Sequence, residues 1–445
     1  MIKKLIAFVL VLVVGVYIGF QLPRGAGLVA AITSVGSSHE SNYTGLKSNQ
    51  AMIDFKAMFD RTHQMVLDEA QTQQEAIEGM RWLLRVMAMS AEVAADGNPR
   101  YPHFHQSEHY DTRRPDYHHR PCELTYPCAE VAADGNPRYP HFQQMDTLVR
   151  KVGGDNPDAE YHHVQIDGQY DYSITGTRGT VPYIGFTITG GKGMTPRRQV
   201  GYINDLELNV DEQGNFTLLL TKEQPDLDAY GNSSGPANWI QIPEDASGIL
   251  VREYIADRSV EVLPTLSIEI LGEKPPFVPP TDDDIANALI GTSYAFLKLS
   301  TLHKYVLPEL LEEKNRFIQT TSESLGGAIS SADNLYMVGS YQLAQDEALV
   351  VRVEPPQSRY WNFTLESRWH ETTDYLHRPV SLTLEEVTYE GDGKVEFVIA
   401  HKNPGHPNWL DTSGQEFGFM TFRWLGSKGD NIPMPDVKVV KLSDL

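Results

Sequence analysis

Cysteine is close to absent from this chain: its 445 residues hold two, Cys122 and Cys128. A disulfide scaffold needs more, and a bond between these two would staple only a local loop. Basic residues are scarce as well. Lys and Arg number 37 against 59 Asp and Glu, for a net charge of −22. Phosphate backbones are held by clustered cations, so this balance argues against a nucleic-acid partner. Two short motifs of common enzyme classes are missing too: there is no P-loop and no dinucleotide fingerprint. What remains is an ordinary globular composition, 41% hydrophobic and 22% charged, with length for two or three domains.

The N-terminus stands apart. "MIKKLIAFVLVLVVGVYIGFQLPRG" places Lys3 and Lys4 before an unbroken apolar run from Leu5 to Phe20. At 1.5 Å per residue that run spans about 24 Å as a helix, against about 30 Å of hydrocarbon, so it is a marginal span. No clean small-x-small cleavage site follows and no lipobox cysteine is present. An uncleaved anchor and a cleaved signal both remain open. Either way the lysines put the body outside the cytoplasm, periplasmic or at the cell surface, with the membrane as a partner.

The chain divides into an anchor or signal at 1–22, a flexible Gly/Ser/Asn-rich tether at 23–48 and a helical region at 49–152. A first β half at 153–271, a linker and helical insertion at 272–334 and a C-terminal β half at 335–445 follow. In the helical region Ile77, Met80, Leu84 and Met87 fall at helical spacing and are expected to face the core. "AEVAADGNPRYPHF" occurs at Ala91 and again at Ala129. Removing 91–128 leaves a smooth sequence, so that segment reads as a duplicated surface insertion. His105, His109, His118, His119, Cys122 and Cys128 within it lack the spacing of a zinc site. Further on, Thr281 or Asp282 can cap a helix, and Pro308 can open another.

The two β halves echo each other. "YIGFTI" at Tyr183 matches "YWNFTL" at Tyr360, and "YHHVQIDGQYDYSI" is paired more loosely with "YQLAQDEALVVRV". "PANWIQIPEDASGILVRE" parallels "HPNWLDTSGQEFGFMTFRW". The drifted spacing fits an old internal duplication. The fold class expected is mainly β with helical additions (α+β), as two related β-sandwich or jelly-roll-like halves behind a membrane helix.

"PPQSRYWNFTLESRWHETTDYLHRPVSLT" and "AHKNPGHPNWLDTSGQEFGFMTFRW" carry a family resemblance. The chain resembles the bacterial family that bears the C-terminal domain of unknown function 1214. "GGDNPDAEYHHVQIDGQYDYSITGTRG" is similar to the upstream part of the same proteins. The resemblance covers about Gly153 to Trp424 and implies a jelly-roll-like fold in the C-terminal half. It brings no activity, cofactor or catalytic residue with it.

The densest polar constellation is His370, Glu371 and Asp374 in "RWHETTDY", then His401, His406, Asn408, Trp409 and Asp411. "HETTD" departs from the HExxH zinc helix, because Asp374 replaces the second histidine and the segment lies among strands. Three uses stay open. One is hydrogen bonding that shapes strand turns. Another is a small-molecule or sugar pocket, with Trp409 as stacking platform. The last is metal coordination by His370, Asp374 and His401 or His406. Arg252 and Arg423 follow glycines that look equivalent, and an arginine inside an apolar strand must find acids or carbonyls, so both are expected to be structural. The expectation is a membrane-anchored binding or envelope-organising protein. The alternative is a metal-assisted or acid–base hydrolase or lyase on envelope-accessible substrates.

Overall fold

Short runs rich in β-branched and aromatic residues, broken by Gly, Asp and Asn turns, build a mainly β protein with several sheets and a few helices. The structure is a computed structural model that describes residues 43–94, 142–145, 151, 153–191, 197–230, 235–273, 281–320, 333–427 and 434–445. The apolar run at 5–20 lies outside the described residues, as does most of the duplicated segment with Cys122 and Cys128. Among the described residues no helix is long and apolar enough to cross a membrane.

The strands of the first half are β1 (Gln143–Met145), β2 (Ala159–Gln165), β3 (Tyr172–Thr177), β4 (Tyr183–Gly190), β5 (Arg198–Asn204), β6 (Asn215–Thr221), β7 (Ala237–Gln241), β8 (Ala246–Tyr254) and β9 (Thr265–Ile270). They form a five-stranded sheet β1-β2-β8-β4-β5 and a four-stranded sheet β7-β6-β3-β9. The second half runs β10 (Arg316–Thr320), β11 (Asn334–Gln342), β12 (Glu347–Val353), β13 (Tyr360–Glu366), β14 (Ser381–Thr383), β15 (Val395–Ala400), β16 (Trp409–Asp411), β17 (Phe417–Leu425) and β18 (Asp436–Lys441). Its sheets are β10-β11-β17-β13-β14 and β16-β15-β12-β18. Each strand of one half thus has a counterpart nine places along the series. Even the parallel pair β6–β7 recurs as β15–β16.

Two placements differ from the sequence reading. β1 and β10 lie upstream of the β halves as delimited there, because each edge strand forms only by pairing with the strand that follows it. Tyr161, opposite Arg252, corresponds to Tyr336, opposite Arg423, rather than to the tyrosine of "YQLAQ" five residues on. Matching letters slipped the register; the ladder sets it.

Each half holds a core between its two sheets, Phe186, Phe216, Ile174 and Val251 in the first and Phe363, Phe397, Phe422 and Trp424 in the second. β13 and β17 are buried along their whole length, on both faces. Their outer faces meet the first half and the helices, which explains the near-continuous apolar runs. Between the halves Tyr254 stacks on Tyr183 at 4.9 Å and on Tyr360 at 5.2 Å. Asn334 donates to the Tyr254 hydroxyl at 2.7 Å.

Helices α1 (Lys47–Glu69), α2 (Gln73–Ala94) and α3 (Asp282–Ser300) form a layer against the second half, followed by the short α4 (Leu302–Val306) and α5 (Pro308–Glu312). Thr281 caps α3 in a capping box with Asp284. The next residue, Asp282, accepts from the first amides of α1, Lys47 at 2.9 Å and Ser48 at 3.0 Å. Leu46 supplies no cap of its own, so α3 caps α1 from a distance.

Of the α2 stripe expected in the core, Met80 and Met87 do pack against it, partly buried, but the other two do not. Ile77 and Leu84 are exposed, while Trp82, Leu83 and Val86 are buried. The deciding residue is Gly79, where a Cβ would come within 2.8 Å of the Trp369 ring. A residue without a side chain lets the helix approach both that ring and Val66 of α1 closely.

Candidate functional site: a buried charged seam

The highest density of buried ionisable groups lies where the helices meet the end of β13. Glu366 closes the strand and the chain then turns sharply, with His370 at φ +56°. That left-handed backbone costs energy for a non-glycine residue, and the hydrogen bond from the Gly154 amide to the His370 carbonyl (2.8 Å) helps to hold it. The turn sends Trp369 and His370 in different directions. Trp369 stacks on Trp82 at 5.1 Å and donates to the Glu75 carbonyl at 3.0 Å. His370 turns back to within 3.0 Å of Glu366 and packs beside Phe419.

Acids and bases alternate along the seam. Arg368 donates to Glu75 at 2.8 Å, Arg85 to Glu371 at 2.7 Å, and Arg423 lies 3.4 Å from Glu366. Lys151 donates to the carbonyls of Thr372 and Thr373 at 2.8 Å each, and Asp155 accepts from the Thr372 amide. Burial pushes the Glu371 carboxyl up to about 7, with Arg85 pulling the other way. Burial likewise raises Asp155 and lowers Lys151. Glu366 is buried too, but His370 and Arg423 outweigh that and hold it below the usual carboxylate range. Chemically the seam is a clasp whose charges mostly satisfy each other. Glu371 is its one carboxyl poised to exchange a proton near neutrality.

The residues singled out in the sequence do not converge. His370 belongs to the seam. Asp374 is exposed and accepts from His377 at 2.9 Å. His401 donates through Nε2 to the Leu343 carbonyl (3.2 Å), so its Nδ1 accepts from Thr412 at 2.7 Å. His406 accepts from the Asn408 amide and lies 3.7 Å from Glu396. Asp411 accepts from Arg378 at 2.8 Å. Among the described residues no group of three or more His, Cys, Asp or Glu could hold a metal ion.

Asn408 and Trp409 have doubles. Asn408 accepts from the Thr388 amide at 2.7 Å and donates to the carbonyls of Thr388 and Glu396. Asn238 accepts from the Asn209 amide at 2.7 Å and donates to the carbonyls of Asn209 and Thr217. The tryptophans that follow each donate back to their own sheet, Trp239 to Thr221 and Trp409 to the Ala400 carbonyl. Arg252 and Arg423 also match, donating to Thr187 and Thr364 at 3.2 Å each. The glycines before them do not match: opposite Thr189 stands Gly248, whereas opposite the corresponding Glu366 stands Phe419.

Sequence reasoning missed Lys151, Asp155, Glu366 and Arg85. Glu366 carried a signal, an acid at the end of an apolar strand run. Lys151 and Arg85 carried none, because a charged residue on a helix or loop usually faces water.

A crystal structure of an uncharacterised protein from Burkholderia cenocepacia matches at 25% identity and a TM-score of 0.74, over 91% of this chain and 100% of that one. The VPA0106 protein from Vibrio parahaemolyticus matches at 12% identity and a TM-score of 0.41, over 65% of this chain and 91% of that one. No curated protein matches. The model of the family described as protein of unknown function (DUF1214) matches residues 340–428, which run from the end of β11 past β17. The chain therefore carries the DUF1214 domain in its C-terminal region.

Proposed function

We propose that the protein is a binding or envelope-organising module rather than an enzyme, tethered by its N-terminal segment with its body outside the cytoplasm. Its ligand is a small molecule or a carbohydrate. One observation carries this reading: Asn238 and Asn408, Trp239 and Trp409, and Arg252 and Arg423 recur in matching roles in both halves. Groups repeated in this way hold turns and strands together. A catalytic centre would gather unlike groups around open space in one half. The repeat also supports reading the halves as products of one duplication, two β-sandwiches of jelly-roll type behind a membrane helix.

The test has two arms. Fractionation with protease accessibility should find the full chain at the membrane and its body cleavable from outside the cytoplasm. A thermal-shift panel of sugars and small organic acids should find a stabilising ligand that is returned unchanged. A soluble cytoplasmic chain with an intact N-terminus would sink the tether, and turnover of the ligand would sink the binding role. The enzyme reading rests on Glu371, a carboxyl held near neutrality between Arg85 and Lys151. It predicts an activity that Glu371→Gln removes while the fold survives.

A further inference from the structure

We infer that the outward face of the α1–α3 helix pair is a seat on the bilayer surface, with a groove at the two N-termini and an apolar stripe along α3 lying against lipid. The inference rests on the tether in the reading above and names the face that the tether brings to the membrane.

The two helices build one surface. Their starts meet where Asp282 takes the Lys47 and Ser48 amides, and their ends meet where Glu69 faces His303 at 3.1 Å. They therefore run side by side in the same direction, with Phe59 stacked on Phe296 at 5.6 Å. Thr292, Phe296 and Ser300 turn inward and are buried. Ile290, Tyr294 and Leu297 recur at steps of four and three on another side of α3, and keep 44%, 45% and 42% of their surface exposed. Where the pair begins, Tyr43, Leu46, Met52, Ile285 and Leu289 line a groove of about 380 Å³. All of these except Leu289 are exposed as well. Leu289 lines the groove and its neighbour Ile290 opens the stripe. Apolar side chains gathered in this way mark a contact surface, unlike single ones scattered over a body.

The chain that leads into this face says what covers it. The apolar run ends at Phe20, residues 21–42 follow, and Tyr43 already lines the groove. The groove is thus the point at which the body joins the segment read as its anchor. This face can rest on the bilayer without the chain having to cross the body. A run of about 24 Å against about 30 Å of hydrocarbon is a weak hold, which a second apolar contact strengthens. The polar groups around the face suit a headgroup layer. Asp282 is held by the α1 amides, Asp283 by Lys47 at 2.6 Å and Asp284 by the Thr281 cap, so the three acids are engaged with protein groups. Exposed Lys56 and Lys298 stand one turn beyond Met52 and Tyr294. Their stems can lie along apolar surface while the ammonium groups reach phosphates. Tyr43 and Tyr294 add rings with a polar tip, the side chain that membrane interfaces favour.

The probe is a phosphatidylcholine vesicle. The full chain, with Cys122→Ser and Cys128→Ser, carries one nitroxide at Tyr294→Cys or, for comparison, at Leu206→Cys, an exposed apolar position of the first half. Oxygen concentrates in lipid and a nickel chelate in water, so the ratio of their effects on the spin reports lipid contact. At 294 the ratio should exceed that at 206 at least about threefold, and Ile290→Glu should bring it down to the 206 value. Thermal unfolding checks that the variant folds, and Met52→Glu stands in should Ile290→Glu fail that check. Equal ratios in chains that float with the vesicles would overturn the seat and leave the tether standing. A ratio at 294 that stays high in the folded glutamate variant would overturn it too. Spin–spin broadening between chains would give the face to a second copy in place of lipid. A chain that does not float with the vesicles would sink the tether reading itself, and the seat with it.

Discussion

The two halves use one strand plan and finish their outer faces differently. The second half fills its face with Phe419, seats α5 over it and closes the rim with Glu366, His370 and Arg423. The first half has Gly248, Thr189 and His163 where the second has Phe419, Glu366 and Val338. The hidden framework repeats almost bond for bond, as the Asn238 and Asn408 struts show. What diverged is the side-chain layer that decides whether a face is closed or open.

The largest effects should come from breaking the closed face. Phe419→Ala should cost about 3–5 kcal/mol in urea unfolding, because the ring is buried and the α5 cover cannot collapse fully into the space. Arg423→Met should cost about as much, 3–5 kcal/mol, since it strips a buried partner from Glu366. If both substitutions proved mild, the second half would not be the closed one.

The pH dependence of stability comes next. Glu371 carries a folded pKa of about 7 against an ordinary 4.5, so the folded state holds its proton longer than the unfolded chain does. Its contribution is therefore fully present below about pH 4.5 and is lost as pH rises toward 7, by up to about 3 kcal/mol. Glu371→Gln should flatten that part of the stability–pH curve. A curve unchanged by the substitution would show that Arg85 keeps the carboxylate ionised throughout.

Smaller effects sharpen the likeness. Asn238→Ala and Asn408→Ala should each cost about 1–3 kcal/mol, and by similar amounts, because each leaves matching backbone groups unpaired. A large inequality in chemical unfolding would break the equivalence of the halves. Gly248→Ala should be the mildest, about 1 kcal/mol or less: the Cβ crowds the far ends of two side chains, His163 Nε2 and Thr189 Oγ1, rather than backbone.

Much of the frame was legible in advance. The cap at Thr281, the helix start at Pro308 and the matched strands at Tyr183 and Tyr360 all rest on signals within a few residues. The site was legible in part. His370 and Glu371 do sit in the densest buried charge of the second half, while Asp374, His401, His406, Asn408, Trp409 and Asp411 went to separate hydrogen-bond networks. Clustering along the chain suggested convergence that the strand turns then undid.

The adjacent histidines of "YHHV" show the division most plainly. Sequence alone put them on a strand, and a strand's two-residue period sends neighbours to opposite faces. Only the tertiary structure decided that His162 would turn inward to Glu253, 3.2 Å away, and that His163 would face the other way, beside Gly248. The same holds for Ile77 and Leu84, whose helical spacing was plain but whose exposure is set by which face of the helix packs on Trp369, almost three hundred residues downstream. Periodicity and turn chemistry act over a few residues and are written locally. Which face is covered, and which charge finds a partner, depends on groups brought together from distant parts of the chain, and no local pattern records them.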